Sequence, residues 1–373
     1  MPSKQFRMYF NGTAATQDQL NRVEEIAVEQ AADAAWEARI QLIVSLDENG
    51  NWQNTDDTFT DDFSRVRIEL QFDTDPWVAL IDGSVVGVDN SLHNEPGRST
   101  ITLIVQDDSV LLNRTAQTQV FEGQSDSDIA SQLFSAVPGI TPGNIQTTTP
   151  SSDPLGGVTV QRETSMQLLR RLARRNGFHA YVLPGDTPGQ SQGCFAPYPS
   201  DPTPGLSTLI LLGTDRNMES FSATNDAQAP TTYSASTLGI SDRSTDDQTS
   251  SFSDLPQLGD ETAYDNPSST GQDFLSPSDL DEDPDRATSA ATTRSAYSIH
   301  ANGRTLPDCY DSILWPYDVV TVQAGPMQHS GDYVVTKVRH LINRSLHSQE
   351  FELVSDSRSS VSSSGGNPLS GVF

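Results

Sequence analysis

Alternating apolar and polar residues predict strands along much of this chain. From 65 to 72 every second residue is apolar, while Arg65, Arg67 and Glu69 fall on the opposite, polar face. This pattern is typical of a half-buried strand. Further runs of apolar or alternating residues predict strands at 100–105, 158–161, 178–183, 318–322, 333–338 and 349–354.

A turn is predicted inside the apolar segment that follows residue 77. Asp82 and Gly83 separate the apolar runs 78–81 and 84–88. An Asp-Gly pair supplies the positive φ angles of a type I′ turn. We therefore expect a tight hairpin centred on this dipeptide.

Helices and strands are predicted to alternate between about 119 and 184. Ser125 followed by Asp128 is a variant capping box, Thr164 with Gln167 is a regular one, and apolar residues recur at helical spacing after each. Gly177 stands where a left-handed helix C-cap belongs. This segment is therefore predicted to be a small α+β module within a β-rich protein.

Two interpretations remain open for the N-terminal range 17–44. Thr16 and Gln19 form a capping-box pattern and alanine is frequent, so intrinsic propensity favours a helix. The ranges 23–28 and 38–44 are also compatible with strands.

The range 222–296 differs from the rest of the chain. It carries 14 acidic and 3 basic side chains, with few aromatic residues and much Ser, Thr and Pro. This composition predicts partial disorder or a long, decorated connection. Acidic residues alternate in 279–285, but a calcium loop starting there would place Pro284 where glycine is needed, so a solvated acidic loop is predicted.

The net charge restricts the classes of partner. Fifty acidic and 22 basic residues give −28, which disfavours binding to nucleic acid and to anionic membranes. High salt would screen the self-repulsion, and Asp is spread along the whole chain, so the charge favours a salt-loving source over a single disordered acidic segment. The first residues lack the apolar stretch of a secretory signal, and the longest apolar run, 206–212, is too short to span a bilayer. We expect a soluble chain made in the cytoplasm.

The sequence offers no catalytic, cofactor-binding or metal-binding motif. Cys194 and Cys309 lack the spacing of a metal site, and the six histidines form no HExxH pair. A phosphate-binding loop, a dinucleotide fingerprint and a nucleophile elbow are also lacking. We therefore predict that the protein is not an enzyme and takes no cofactor.

One cluster of positive charge runs against the acidic composition. Arg170, Arg171, Arg174 and Arg175 are predicted to lie on the face of a helix opposite its apolar stripe. They could form a solvated face or grip phosphate, but one short helix cannot outweigh the acidic field. We predict that these arginines are a subunit contact.

The order of these segments resembles the tail-hub proteins of contractile phages and related injection systems, the late-control protein D group. The range 120–130 (VFEGQSDSDIA) resembles the family's strand-to-helix segment, and 166–178 (MQLLRRLARRNGF) resembles its Arg-rich helix. Further similarities lie at 75–88, at 105–114 and at 317–340. The type VI secretion spike hub is related to the same group.

This resemblance implies a mainly β protein with an α+β module: β-barrel-like domains plus a small α+β insert, in a trimeric hub architecture. It also favours strands over a helix at 17–44. The implied domains are a first β-barrel-like domain at 1–115, the α+β module at 116–190, an acidic connection with part of a second β domain at 191–300, closing strands at 301–356 and a flexible tail at 357–373.

The implied function is a structural baseplate hub that joins a six-fold tail tube to a three-fold spike. Its expected partners are two further copies in a homotrimer, a tail tube protein, a spike protein on a separate polypeptide and other baseplate proteins. Assembly is expected in the host cytoplasm, within a virion tail or injection particle. A β-rich protein of a halophile that binds or hydrolyses polysaccharide remains the alternative.

Overall fold

The computed structural model describes most of the 373 residues. The described residues are 4–46, 49, 52–53, 60–73, 75–95, 97–150, 158–238, 245–252, 257–259, 261–264, 270–275, 284–325, 329–343 and 346–358.

Strands make up most of the regular structure. In chain order they are β1 (Lys4–Phe10), β2 (Thr13–Ala14), β3 (Val23–Ala31), β4 (Glu37–Ile43), β5 (Ser45–Leu46), β6 (Trp52–Gln53), β7 (Arg65–Phe72), β8 (Val78–Ser91), β9 (Thr100–Asp107), β10 (Ala116–Glu122), β11 (Ile140–Ile145), β12 (Val158–Thr164), β13 (His179–Pro184), β14 (Ser191–Ala196), β15 (Leu209–Ile210), β16 (Met218–Asn225), β17 (Thr231–Leu238), β18 (Thr245–Thr249), β19 (Glu261–Thr262), β20 (Gly271–Phe274), β21 (Ile299–Thr305), β22 (Val319–Gln323), β23 (Gly331–Asn343), β24 (His347–Ser355) and β25 (Ser357–Arg358).

The helices are few and short. They are α1 (Gln17–Arg22), α2 (Ser109–Leu112), α3 (Asp126–Ser135), α4 (Ser165–Asn176) and α5 (Pro284–Ala296). In the described part of the chain, none is long and apolar enough to cross a membrane.

One large sheet joins the two ends of the chain. Across the residues described, its strand order is β16-β21-β24-β23-β3-β4-β9-β8-β7-β1-β2, with β22 and β15 attached beside β23. The N-terminal strands cover one hydrophobic core, which includes Trp36, Ile40 and Leu103. The C-terminal strands cover a second core, which includes Tyr310, Val338 and Phe351. The two halves meet where β3 pairs antiparallel with β23, from Lys337 opposite Ala31 to Asn343 opposite Glu25.

The mainly β fold class with a small α+β module is confirmed. The barrel-like closure that the resemblance implied is not detected, because the pairings among the described residues follow an open path from β16 to β2.

The α+β module consists of β10 to β14 with α3 and α4. Its core includes Phe134, Leu169 and Phe195. Strands β10 and β12 form an antiparallel two-stranded ribbon, and β11, β14 and β13 form a three-stranded sheet. Strand β14 lies beyond residue 190 and pairs within this sheet.

The helix caps of the module confirm the sequence prediction. The Ser125 side chain accepts from the Asp128 amide before α3, Thr164 and Gln167 form both bonds of a capping box before α4, and Gly177 has a φ of 69° at its C-cap. The caps satisfy amide groups that the first helical turn leaves without a partner.

The predicted hairpin at Asp82-Gly83 is wrong, since both residues lie inside the continuous strand β8. Gly83 is opposite Val66 on β7 and Asp107 on β9. A Cβ atom at this position would lie 1.9 Å from the Gln106 carbonyl oxygen. Glycine is therefore needed for close backbone approach between strands rather than for a turn.

Both interpretations of 17–44 hold in part. The capping box at Thr16 and Gln19 is present and starts α1, but this helix ends at Arg22. The strands β3 and β4 follow, as the resemblance implied. The alternating apolar residues of these strands enter the first core, and that burial outweighs the modest helix propensity of alanine.

The range 222–296 contains ordered elements where it is described. Strands β17, β18 and β20 form a three-stranded sheet, and α5 packs against β17, β18 and α4. The sequence predicted either partial disorder or a long, decorated connection for this range. The described part is a connection with strands and a helix of its own. Most of the alternating acidic run, 279–283, and the tail from 359 to 373 lie outside the described residues.

Candidate assembly surfaces and junctions

A buried cluster of charged residues connects the first half of the sheet to the module. We call it the charged junction, and it consists of Arg65, Arg67, Glu69, Asp82 and Asp108. The Arg65 guanidinium binds Asp82 Oδ1 through Nε at 2.7 Å and both carboxylate oxygens of Asp108 at 2.7 and 3.1 Å. Arg67 binds Glu69 Oε1 at 2.6 Å and Asp82 Oδ2 at 3.1 Å.

The module contributes backbone and hydroxyl groups to the charged junction. The Gly185 carbonyl oxygen accepts from Arg67 Nη1 at 2.7 Å. The Gly189 amide donates to Asp82 at 2.9 Å, and Ser191 Oγ donates to Asp108 at 2.7 Å. The side chains of Arg67, Glu69 and Asp82 are at most 4% exposed. The strand predicted to be half-buried at 65–72 is therefore covered on its polar side as well, because the module lies against that side.

A second buried polar group lies where β3 meets β23. We call it the neutral junction, and it consists of Gln30, His340 and His347. Gln30 Oε1 is 3.2 Å from His340 Nε2, and His340 Nδ1 is 3.3 Å from His347 Nε2. Lys4 Nζ approaches His347 Nδ1 at 3.5 Å, and the Gln30 amide donates to the Leu80 carbonyl oxygen at 2.7 Å.

These distances assign one direction of donation along the neutral junction. The Lys4 ammonium can only donate, so His347 Nδ1 accepts and its Nε2–H donates to His340. His340 then donates to the amide oxygen of Gln30 through Nε2–H, and both imidazoles are neutral. Burial lowers the pKa of His340 to about 3 and lowers the pKa of His347 well below its usual value, with His340 and Lys4 adding repulsion.

An aromatic cluster connects three parts of the chain. The rings of Tyr181 on β13 and Tyr317 before β22 stack at 3.7 Å, and His179 stacks on Tyr198 at 3.9 Å. Asp33, between β3 and β4, binds His179 Nδ1 at 2.9 Å and donates its backbone amide to the Tyr317 hydroxyl oxygen at 2.9 Å. Tyr181 and Tyr317 are buried, so these two rings stabilise the fold and do not offer a surface on which a sugar could stack.

The four arginines predicted as a subunit contact have different surroundings on α4. Arg175 forms an ion pair with the buried Asp126 of α3. Arg171 binds Glu163 at 2.9 Å and the Val160 carbonyl oxygen at 2.9 Å. The side chain of Arg170 is half-buried and that of Arg174 is exposed. Two of the four thus have ion-pair partners within the module, and Arg171 remains 45% exposed beside β12.

The solvent-facing side of the central strands carries a row of ion pairs. Lys337 binds Glu29 across the β3–β23 ladder at 2.8 Å, and Glu350 lies between Arg339 at 3.5 Å and Arg304 at 4.0 Å. Each of these pairs is partly exposed. Exposed ion pairs contribute little to stability, and of these pairs only Lys337–Glu29 crosses from one half of the sheet to the other.

The family comparison decides the class of protein. A family model described as phage tail baseplate hub (GPD) matches residues 61–346, well over half of the chain. The chain belongs to the phage tail baseplate hub (GPD) family. As a member, it is a structural component of a phage tail or baseplate hub.

Solved structures of tail proteins have the same fold as this hub protein. The 43 kDa tail protein of prophage MuSo2 from Shewanella oneidensis is 13% identical at a TM-score of 0.64, covering 95% of this chain and 99% of that chain. A tail protein from Neisseria meningitidis is 14% identical at a TM-score of 0.59, covering 95% and 97%. An E. coli component of the type VI secretion system is 10% identical at a TM-score of 0.54, covering 95% and 76%. No curated protein sequence matches the chain.

Sequence reasoning identified the family of the hub protein but missed its junctions. Arg67 and Glu69 were placed on a polar face, and His340 and His347 showed no spacing of their own. Their partners come from 185–191 and from residue 30, far away in sequence. The signal that could have indicated the charged junction is the concentration of arginine and carboxylate within a strand whose other face is wholly apolar.

Proposed function

We propose that this protein forms a homotrimeric hub that joins a six-fold tail tube to a three-fold spike. The observation that carries the proposal is the organisation of a hub-family chain around two sheet halves. Each half has its own hydrophobic core, and the β3–β23 ladder fuses them into one sheet. Two β units in each of three copies present six related surfaces.

The six-fold tube and the three-fold spike differ in symmetry, and this difference explains why two β units in each chain are useful. A trimer of single units can contact only three of six tube subunits equivalently. A trimer of fused pairs offers one unit to each tube subunit, while the whole particle keeps the three-fold axis that a spike requires. The spike and other baseplate proteins would bind the remaining surfaces.

The proposed role needs no catalytic step. It requires rigid placement of the sheet halves and the module, and the two junctions and the aromatic cluster provide that rigidity. Assembly would take place in the host cytoplasm before the chain enters a tail or injection particle. The charge of −28 supports a salt-rich medium, in which repulsion between copies is screened.

Particle mass and tube binding test this function together. In molar salt, light scattering is expected to give the mass of three chains, and electron microscopy of hub mixed with its tube protein is expected to show one trimer at a tube end. A monomer that binds neither the tube nor the spike protein would overturn the proposal.

A further inference from the structure

One of the two lysines in the chain is buried against a carboxylate beside the neutral junction. Lys4 lies on β1, in the first half of the sheet, and its Nζ is 3.3 Å from Asp308 Oδ1. The Lys4 side chain is 10% exposed and that of Asp308 is 19% exposed. The same nitrogen lies 5.0 Å from the centroid of the Phe72 ring and 3.5 Å from His347 Nδ1. The pair therefore connects the first strand of the chain to the segment that follows β21 in the second half.

The backbone holds the Asp308 carboxyl group against the lysine. Asp308 has a φ of 58°, in the left-handed region that favours glycine. Its amide donates to the His347 carbonyl oxygen at 3.1 Å, and the His347 amide donates back to Asp308 Oδ1 at 3.2 Å. A backbone conformation of this kind is kept where neighbouring bonds over-determine it. The carboxyl group is thus fixed before any chemistry begins.

The second lysine of the chain has the opposite environment. Lys337 Nζ is closer to its carboxylate, at 2.8 Å from Glu29, but the two side chains are 34% and 50% exposed. Burial lowers the pKa of Lys4, although Asp308 acts in the other direction, whereas the hydrogen bond to Glu29 raises the pKa of Lys337. A desolvated lysine has more of the neutral amine, which is the form that attacks a carbonyl carbon. Only the buried pair combines this activation with shelter from water.

We propose that Lys4 and Asp308 condense into an isopeptide bond, the amide between their side chains, in each folded copy. One bond forms between Nζ and the carboxyl carbon Cγ, and the bond from Cγ to Oδ2 breaks. A buried pair of opposite charges becomes one neutral amide and one water molecule, so the cost of burying both charges is removed. The bond ties the first half of the sheet to the second. This inference goes beyond the hub function and does not depend on the trimer.

The neighbouring groups account for every proton. One proton of the Lys4 ammonium passes to the Asp308 carboxylate, which leaves a neutral amine beside a neutral carboxylic acid. As Nζ bonds to Cγ, a second proton passes to His347 Nδ1, the accepting nitrogen of that ring. The His347 backbone amide stabilises the oxyanion on Oδ1. His347 then returns its proton to the Oδ2 hydroxyl, which leaves as water.

Intact mass and peptide sequencing test the bond. The denatured wild-type chain is expected to weigh one water molecule less than its sequence requires. Its protease digest is expected to contain a branched peptide that joins Lys4 to Asp308. An amine-acylating reagent is expected to modify Lys337 but not Lys4 in the denatured chain. A wild-type chain of full mass in which both lysines react overturns the proposal.

Two variants each remove one of the reacting groups. Lys4→Arg keeps the positive charge, and Asp308→Gly suits the positive φ, so both variants are expected to fold and to have the full mass of their sequences. Lys337→Arg is the matched control, because it changes the exposed ion pair, and it is expected to keep the loss of one water. A loss of water that persists in Lys4→Arg comes from dehydration elsewhere in the chain and overturns the bond.

The step through His347 has a test of its own. His347→Gln keeps a hydrogen-bond acceptor and a donor but takes up no proton near neutral pH. Bond formation in freshly synthesised chains, followed by mass spectrometry over time, is expected to be slower than in the wild type by about 100-fold. An unchanged rate would show that His347 does not carry the proton, while the branched peptide would still report the bond.

Discussion

The charged junction and the neutral junction bury polar groups in different ways. At the charged junction, two arginines face three carboxylates and the module closes over them with two glycine backbone groups and a hydroxyl. At the neutral junction, two histidines stay uncharged and pass hydrogen bonds along one direction. Burial penalises charge in both places. Paired charges therefore hold the module to the sheet, whereas hydrogen bonds between uncharged side chains hold the two sheet halves together.

Removing Arg67 is expected to break the charged junction with the largest effect. Arg67→Met removes a buried ion-pair partner from both Glu69 and Asp82, which keep Arg7 and Arg65 as their remaining partners. Because neither carboxylate is left wholly unpaired, the expected loss is about 3 kcal/mol in the free energy of unfolding, the low end for a broken buried pair. Urea unfolding at constant salt and protein concentration measures it. A loss below about 1 kcal/mol would show that the cluster is not desolvated as the structure indicates.

Gly83→Ala is expected to disturb the strand that carries Asp82. The added Cβ would meet the Gln106 carbonyl oxygen, so β8 and β9 must separate, at about 1–3 kcal/mol or more in the free energy of unfolding. Gly87→Ala on the same strand is the matched control, since its nearest neighbour is a flexible Ile104 side chain at 3.4 Å. Equal melting temperatures for both variants would contradict the close approach.

The neutral junction is expected to make stability depend on pH. Below pH 6.5 the unfolded chain takes up protons on His340 and His347, while the folded chain, with lowered pKa values, does not. Stability therefore falls as the pH falls, by about 1.4 kcal/mol per pH unit for each histidine. Asp107 and Asp318, whose pKa values are raised to about 6 by burial, act in the opposite direction, because the free energy of unfolding falls as the pH rises from about 4 to 6.

The His340→Gln variant separates these contributions. Glutamine can accept from His347 and donate to Gln30, so the hydrogen bonds persist without a titrating group. The difference in unfolding free energy between variant and wild type is expected to change by about 1.4 kcal/mol per pH unit between pH 6 and 4. Parallel pH curves would show that His340 is not held neutral.

The smallest effect is expected at an exposed ion pair that belongs to neither junction. Arg98 binds Glu95 at 2.7 Å with both side chains more than 60% exposed. Arg98→Gln is expected to change the free energy of unfolding by less than about 1 kcal/mol. Chemical denaturation of the Arg98 and Arg67 variants under the same conditions measures the loss of unfolding free energy in each. Similar losses in the two variants would contradict the expected difference between exposed and buried ion pairs.

The sequence was informative where local signals and the fold agree. Capping boxes at Thr16 and Thr164 appear where their residues predict them, because each is complete within four residues. The Asp82-Gly83 turn was wrong, because pairing on both sides of β8 outweighs the preference of a dipeptide. The junctions could not be predicted, since their partners are separated by up to 310 residues and only the folded chain brings them together.

The Arg-rich helix shows the same difference between local signals and partners brought together by folding. The Arg-rich helix was visible in the sequence, but the ion pairs of Arg171 and Arg175 within the module were not.

The ladder between β3 and β23 can form only late in biosynthesis. Ala31 leaves the ribosome about 306 residues before its partner Lys337, and at roughly 5–20 residues per second this interval is about 15–60 s. During that time the edge of β3 that faces away from β4 has no strand to pair with. The second sheet half is therefore both a structural unit and the segment that closes an open edge of the first half.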